Sequence, residues 1–173
     1  GSLPDGNPFA STEGAEPDIW SYGHRNAQGM YYDSSSGRLW LTEHGPQGGD
    51  ELNLVEPGKN YGWPVIGYGV NYGSGSAIHA STHQEGMEQP KQVWVPSIAA
   101  SGLVMYGGDA FPNWRGNLLA GGLRGEQVAL LEVDGDRVVR EETLVQGLGR
   151  IRDVRVGPDD LIYLALDHRD DAT

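Results

Sequence analysis

Apolar residues in this chain fall in short alternating runs closed by turn residues, and one arrangement recurs. GMYYD at 29–33, a turn through Ser36 and Gly37, and LWL at 39–41 form the first copy. GLVMY at 102–106, a turn through Phe111, Pro112 and Gly116, and LLA at 118–120 form the second. VRV at 154–156, the turn GPDD at 157–160, and LIYL at 161–164 form the third. Alternation with a period of two on either side of a Gly, Asp or Pro turn predicts β-hairpins, and no stretch holds a helical period beyond two turns. VALLEV at 128–133 and Val138-Val139 flank DGD at 134–136, a hairpin turn expected to complete the outer strands of one unit. Three such units predict an all-β chain carrying about three blades of a β-propeller, each a small antiparallel sheet. The long interval contains residues 71–92, rich in Gly, Ser and His, expected to be an elaborated loop over one face. A propeller needs at least about four blades to close, so three leave open sheet edges and half a core.

Composition supports strands and turns, with Gly 27 and Pro 10 in 173 residues, a length that suits one domain. Lys+Arg 12 against Asp+Glu 24 gives a formal net charge of −12, which argues against unassisted binding to nucleic acid or an anionic membrane. Cysteine is absent, so disulfides, thiolate metal sites and thiol nucleophiles are excluded. No apolar run approaches the ~20 residues of a membrane helix, and no basic-then-apolar leader opens the sequence, so the polypeptide reads as soluble.

Three polar constellations stand out. GHRNAQG at 23–29 places His24, Arg25, Asn26 and Gln28 in one turn-like stretch. Only Lys59 and Lys91 are lysines, so nearly all positive charge is arginine, whose fork suits planar carboxylates. A plainer account of the stretch is a polar loop whose side chains satisfy neighbouring carbonyls. EHGPQGGDE at 43–51 has a Gly-Pro turn that exposes backbone carbonyls beside Asp50 and Glu51, oxygen donors of the kind a hard dication takes, or else an acidic surface turn. In RIRDV, Arg150 and Arg152 are two apart and share a strand face, so two like charges need an anion there. Pairing of these arginines and Arg124 with Asp153 or Glu126 is the structural alternative.

GHRNAQG, LTEHGPQGGDELNLVEPGKNYGWP, WVPSIAASGLVMY, FPNWRGNLLAGGLRG and GRIRDVRVGPDDLIYL occur in this order. Together they resemble the C-terminal half of the soluble, pyrroloquinoline quinone (PQQ)-dependent aldose sugar dehydrogenases, the glucose/sorbosone dehydrogenase family, from about Ile19 to Asp167. The resemblance implies part of a six-bladed propeller, residues 1–173 forming one partial domain, with PQQ on the top face near the axis. It implies cofactor contacts from Arg25, Asn26, His44, Ser101, Arg124, Arg150 and Arg152, with Gln28 supporting the first loop and Ser97 lining the same segment. Lysine is usual in the family where Arg124 stands. It implies Ca²⁺ on the carbonyls of Gly45 and Pro46, and in some members a second Ca²⁺ at the positions of Glu51 and Tyr61.

The implied reaction is oxidation of an aldose at C1 to a lactone by hydride transfer to PQQ, with electrons passed to an external acceptor. The family's catalytic histidine lies in the N-terminal half, so no catalytic residue is identified in this chain. His24 and His44 belong to cofactor-proximal motifs, and His79, His83 and His168 to loop or tail sequence. The missing blades would come from another polypeptide or a second copy of the chain. The family works in the periplasm or as secreted protein. A competing expectation is a non-catalytic half-propeller that self-pairs, or binds carbohydrate or protein through Trp63, Tyr68, Tyr72 and the long loop.

Overall fold

The computed structural model describes residues 2–167. Ten strands form two four-stranded antiparallel sheets and one hairpin. Strands β1 (Ala27–Asp33), β2 (Arg38–Glu43), β3 (Asp50–Val55) and β4 (Gln92–Trp94) make the first sheet in chain order. Strands β5 (Ala100–Met105), β6 (Leu118–Gly122), β7 (Gln127–Asp134) and β8 (Arg137–Gln146) make the second. Among the described residues, strands β9 (Arg150–Val156) and β10 (Ile162–Asp167) pair with each other alone. The third predicted unit is therefore two-stranded within the described residues. Among the described residues the remaining regular element is a 3₁₀ turn, Pro112–Trp114, and no helix is long and apolar enough to cross a membrane.

Each turn has a local cause. Between β1 and β2, Asp33 accepts hydrogen bonds from the Ser35 N–H and hydroxyl and from the Ser36 hydroxyl, while Gly37 takes φ 72°. Those bonds also hold the Asp33 carboxyl below its ordinary pKa. The β7–β8 hairpin turns at Gly135, φ 60°, as DGD predicts.

Strand β6 and the first part of β7 are buried on both faces, which is why LLA and VALL read as continuous apolar runs. Leu118, Ala120, Ala129 and Leu131 pack with Trp40, Leu52 and Trp94 of the first sheet. Leu119, Val128 and Leu130 point the other way, onto Ile151 and Val154 of β9. Outer strand β8 is mostly exposed, with Arg140, Glu141 and Glu142 along an edge that such charges protect from pairing.

The inner strands β1, β5 and β9 lie side by side, joined by a buried polar seam near their starts. Gly29 N–H donates to Thr42 Oγ1 (3.0 Å), and the Thr42 hydroxyl donates to the Ser101 carbonyl (2.8 Å). The Ser101 hydroxyl donates in turn to the Ile151 carbonyl (2.6 Å). A Cβ on Gly29 would lie 2.3 Å from the Ser101 carbonyl oxygen, so only glycine lets β1 approach β5 this closely. The seam sets the starts of all three inner strands level, on one rim of the molecule.

Candidate functional site

The residues expected to touch a cofactor or metal lie at this rim or, for Ser101, just beneath it: ahead of β1, in the β2–β3 and β6–β7 turns, at the starts of β3, β5 and β9, or at Tyr61 beside the first sheet. Buried Glu43, at the end of β2, organises the first part. Its Oε2 accepts the Arg25 main-chain N–H (2.7 Å), and its Oε1 lies 2.8 Å from Asn53 Nδ2 and 3.1 Å from His24 Nδ1. The other His24 nitrogen lies 2.9 Å from Ser21 Oγ, and the ring stacks on Tyr61 with centroids 4.6 Å apart. The 24–26 turn is thus fastened to the end of β2 by main chain and side chain together.

Arg25 Nη1 donates to the carbonyls of His44 (3.0 Å) and Gly45 (2.8 Å), and the guanidinium lies over the Trp63 ring at 5.2 Å. Asn26 is exposed; its carbonyl accepts the His44 N–H and its side chain accepts from Gln28 Nε2 (2.9 Å), so Gln28 does support the loop. His44 Nε2 is buried without a hydrogen-bond partner. A Cβ on Gly45 would lie 2.3 Å from the carbonyl oxygens of Gly48 and Gly49, which explains a glycine at the head of this turn. Asp50, fully buried, ties the turn to the next segment by accepting from Gly45 N–H, Ser97 Oγ and Ala100 N–H.

Arg25, Glu43, His44, Gly45, Pro46, Glu51, Tyr61, Trp63 and Tyr68 line one cavity of about 20 Å³. That is room for one water or one ion, not for a tricarboxylated ring system, which would have to lie across the rim above it. Burial pushes the Glu51 carboxyl up to about 7, with the neighbouring Glu43 and Asp50 adding to the rise and an Asn53 hydrogen bond opposing it. Tyr61 is also raised, to about 12, chiefly by burial. Its hydroxyl is engaged, donating to the Leu54 carbonyl and accepting from Glu56 N–H. No group of three or more His, Cys, Asp or Glu side chains among the described residues is arranged to hold a metal ion. Any cation here would depend on carbonyl oxygens, and the Gly45 carbonyl keeps a second lone pair beyond its bond to Arg25.

Ser101 lies beneath the rim, its hydroxyl used in the seam. Arg124 is exposed on the β6–β7 turn and makes no ion pair among the described residues. Arg150 and Arg152 project together, as the strand period requires, and both face Asp167 at the end of β10. Neither Asp153 nor Glu126 is the partner, since Asp153 pairs with Arg155 (3.0 Å). Glu43 and Asp167 were the residues hardest to find beforehand. Glu43 is detectable only as a carboxylate at an inward position ending an apolar strand, and Asp167 only once the β9–β10 register is known. His79 packs edge-on against Trp63 with both ring nitrogens buried and unpartnered. Tyr72 and His83 are exposed on the long loop, and His168 lies outside the described residues.

The family model for glucose/sorbosone dehydrogenases matches residues 1–173. The chain belongs to the glucose/sorbosone dehydrogenase family. It is 46% identical over 170 residues to the aldose sugar dehydrogenase YliI of Escherichia coli, covering 96% of this chain and 46% of that protein. It superposes on a crystal structure of a glucose dehydrogenase with a TM-score of 0.91 and 46% identity, over 98% of this chain and 49% of the other. It also matches the PQQ-bound form of an aldose sugar dehydrogenase from Streptomyces coelicolor, with a TM-score of 0.72 and 31% identity over 98% of this chain and 45% of that one. The glucose/sorbosone dehydrogenase chain described here thus spans about half the length of these relatives, and its sheets are blades of their β-propeller fold.

Proposed function

We propose that this chain is the PQQ- and calcium-holding half of a quinoprotein aldose dehydrogenase that oxidises sugars at C1 to lactones. The observation that carries this reading is the convergence on one rim of Arg25, anchored on the His44 and Gly45 carbonyls, with the Arg150 and Arg152 pair at the start of β9. Such fixed guanidinium groups suit a flat ligand bearing several carboxylates.

Bound PQQ supplies a two-electron hydride acceptor. The chain's own residues supply position: Arg25 and Asn26 from the first loop, Arg150 and Arg152 from β9, and Arg124 from the β6–β7 turn where lysine is usual. Gly45 and Pro46 carbonyls, with Glu51 behind them, would hold Ca²⁺, and the Tyr61 carbonyl would join Glu51 at a structural second ion. The histidines at the site are not set up as the base: His24 is committed to Ser21 and Glu43, and His44 and His79 have ring nitrogens shut away from solvent, while His83 is exposed on the long loop. The base and the remaining blades come from the rest of the propeller, supplied by more polypeptide or by a second copy. The site works in the periplasm or outside the cell and delivers electrons to an external acceptor.

The test is to add PQQ with Ca²⁺ to the pure chain, follow quinone absorbance and melting temperature, then add glucose and an artificial acceptor. A spectral change and stabilisation without turnover support the reading. No binding contradicts it, and turnover by the chain alone contradicts the placement of the base elsewhere.

A further inference from the structure

The β9–β10 register sets Asp167 directly across from Arg150. Its Oδ2 accepts from both Nε (3.1 Å) and Nη2 (2.6 Å) of Arg152, and lies 3.6 Å from Arg150 Nε. One carboxylate oxygen therefore gathers two guanidinium groups that would otherwise repel at the start of one strand. The arrangement leaves them held but not satisfied. Each guanidinium has five N–H donors, and Arg150 Nε is buried with no hydrogen bond. The nearby Asp153 is occupied by Arg155 and does not neutralise the pair. Two guanidinium groups thus share one carboxylate at the start of β9 and keep unused donors, which suits an incoming carboxylate.

We propose that Asp167 is a positioning residue: it presents Arg150 and Arg152 as a preformed seat for one carboxylate of the quinone cofactor. The inference rests on the reading of this rim as the PQQ site and adds a residue to which that reading gave no role. The ladder fixes Asp167 in place, so it stays on the arginines when an anion arrives, and the incoming carboxylate takes their unused donors. Asp167 thereby spares the cofactor the cost of ordering two long side chains.

The experiment is a double-mutant cycle on PQQ dissociation constants, read from tryptophan quenching and quinone absorbance with Ca²⁺ present, using Asp167→Asn, Arg152→Ala and both together. Asp167→Asn is expected to weaken binding about tenfold, the scale of a charge-assisted hydrogen bond, with a melting temperature close to wild type. In the Arg152→Ala background the same change is expected to have a smaller effect than in wild type, because only Arg150 is left for Asp167 to position. Unchanged or tighter binding by Asp167→Asn, or losses that simply add, would overturn the proposal. Should Asp167→Asn fail to fold, Asp167→Glu carries the test. It keeps the charge and is expected to bind within a few-fold of wild type, and a folded Asp167→Glu that loses tenfold is a contradiction. A wild-type chain that binds no PQQ defeats the parent reading and this one together, whereas wild-type binding with an indifferent Asp167→Asn defeats this one alone.

Discussion

The main-chain N–H of Arg25 donates to buried Glu43 Oε2 at 2.7 Å, so the loop ahead of β1 hangs from the last residue of β2. Glutamine at 43 keeps the shape but turns one acceptor into a donor facing other donors. Glu43→Gln is expected to cost about 1–3 kcal/mol, the scale of an unsatisfied buried group. Thermal denaturation checks the loss, and tryptophan fluorescence should report movement of Arg25 off Trp63.

Glu51 titrates near 7 in the folded chain, against an ordinary value of 4.5. Between those values the native state binds more protons than the unfolded state, so stability falls as pH rises through the window and levels off above it. Melting temperature measured without Ca²⁺ should therefore decline from pH 5 to pH 7. Glu51→Gln should flatten that decline and raise the melting temperature at pH 8. Added Ca²⁺ should stabilise more at pH 8 than at pH 5, since the ionised carboxylate is the form that attracts it.

Ser101 separates the rim from what lies beneath it. Its hydroxyl is spent on the Ile151 carbonyl, so Ser101→Ala is expected to destabilise by about 1 kcal/mol and leave PQQ affinity unchanged. Chemical denaturation beside a PQQ titration decides this, and loss of affinity without loss of stability would put the hydroxyl on the cofactor instead.

At Gly29 the obstacle is main chain. A Cβ there would sit 2.3 Å from the Ser101 carbonyl oxygen and 2.8 Å from Leu103 N, neither of which can swing aside. Gly29→Ala should cost about 1–3 kcal/mol by forcing β1 away from β5. Gly37→Ala, in open space at a turn with φ 72°, should cost only the smaller left-handed backbone penalty, on the order of 1 kcal/mol. Melting curves of the two variants compare packing with conformation.

The sheets were legible because their turns announce themselves. DGD gave the β7–β8 hairpin, and the paired apolar runs gave β1–β2, β5–β6 and β9–β10. The short β4 was hidden because a three-residue edge strand carries no periodicity of its own. Of the third unit, the described residues hold the hairpin that its two apolar runs announce. At the rim, Arg150 and Arg152 were legible as a same-face pair from their spacing alone. Their partner was not, because Asp167 reaches them through a register that depends on an irregularity between Ala165 and Leu166. The coupling of Arg25 to Glu43 was equally invisible, as it joins a loop to a strand end across a sequence gap that no local pattern spans.

The most direct measurement of the whole account is the equilibrium titration of PQQ, with Ca²⁺, into the wild-type chain and into Arg152→Ala, alongside their melting curves. The account predicts saturable binding by the wild type, weakened at least about tenfold in the variant with little change in melting temperature. Equal affinities, or affinity and stability falling together, would show that Arg152 serves the fold and that the rim is not a seat for the quinone.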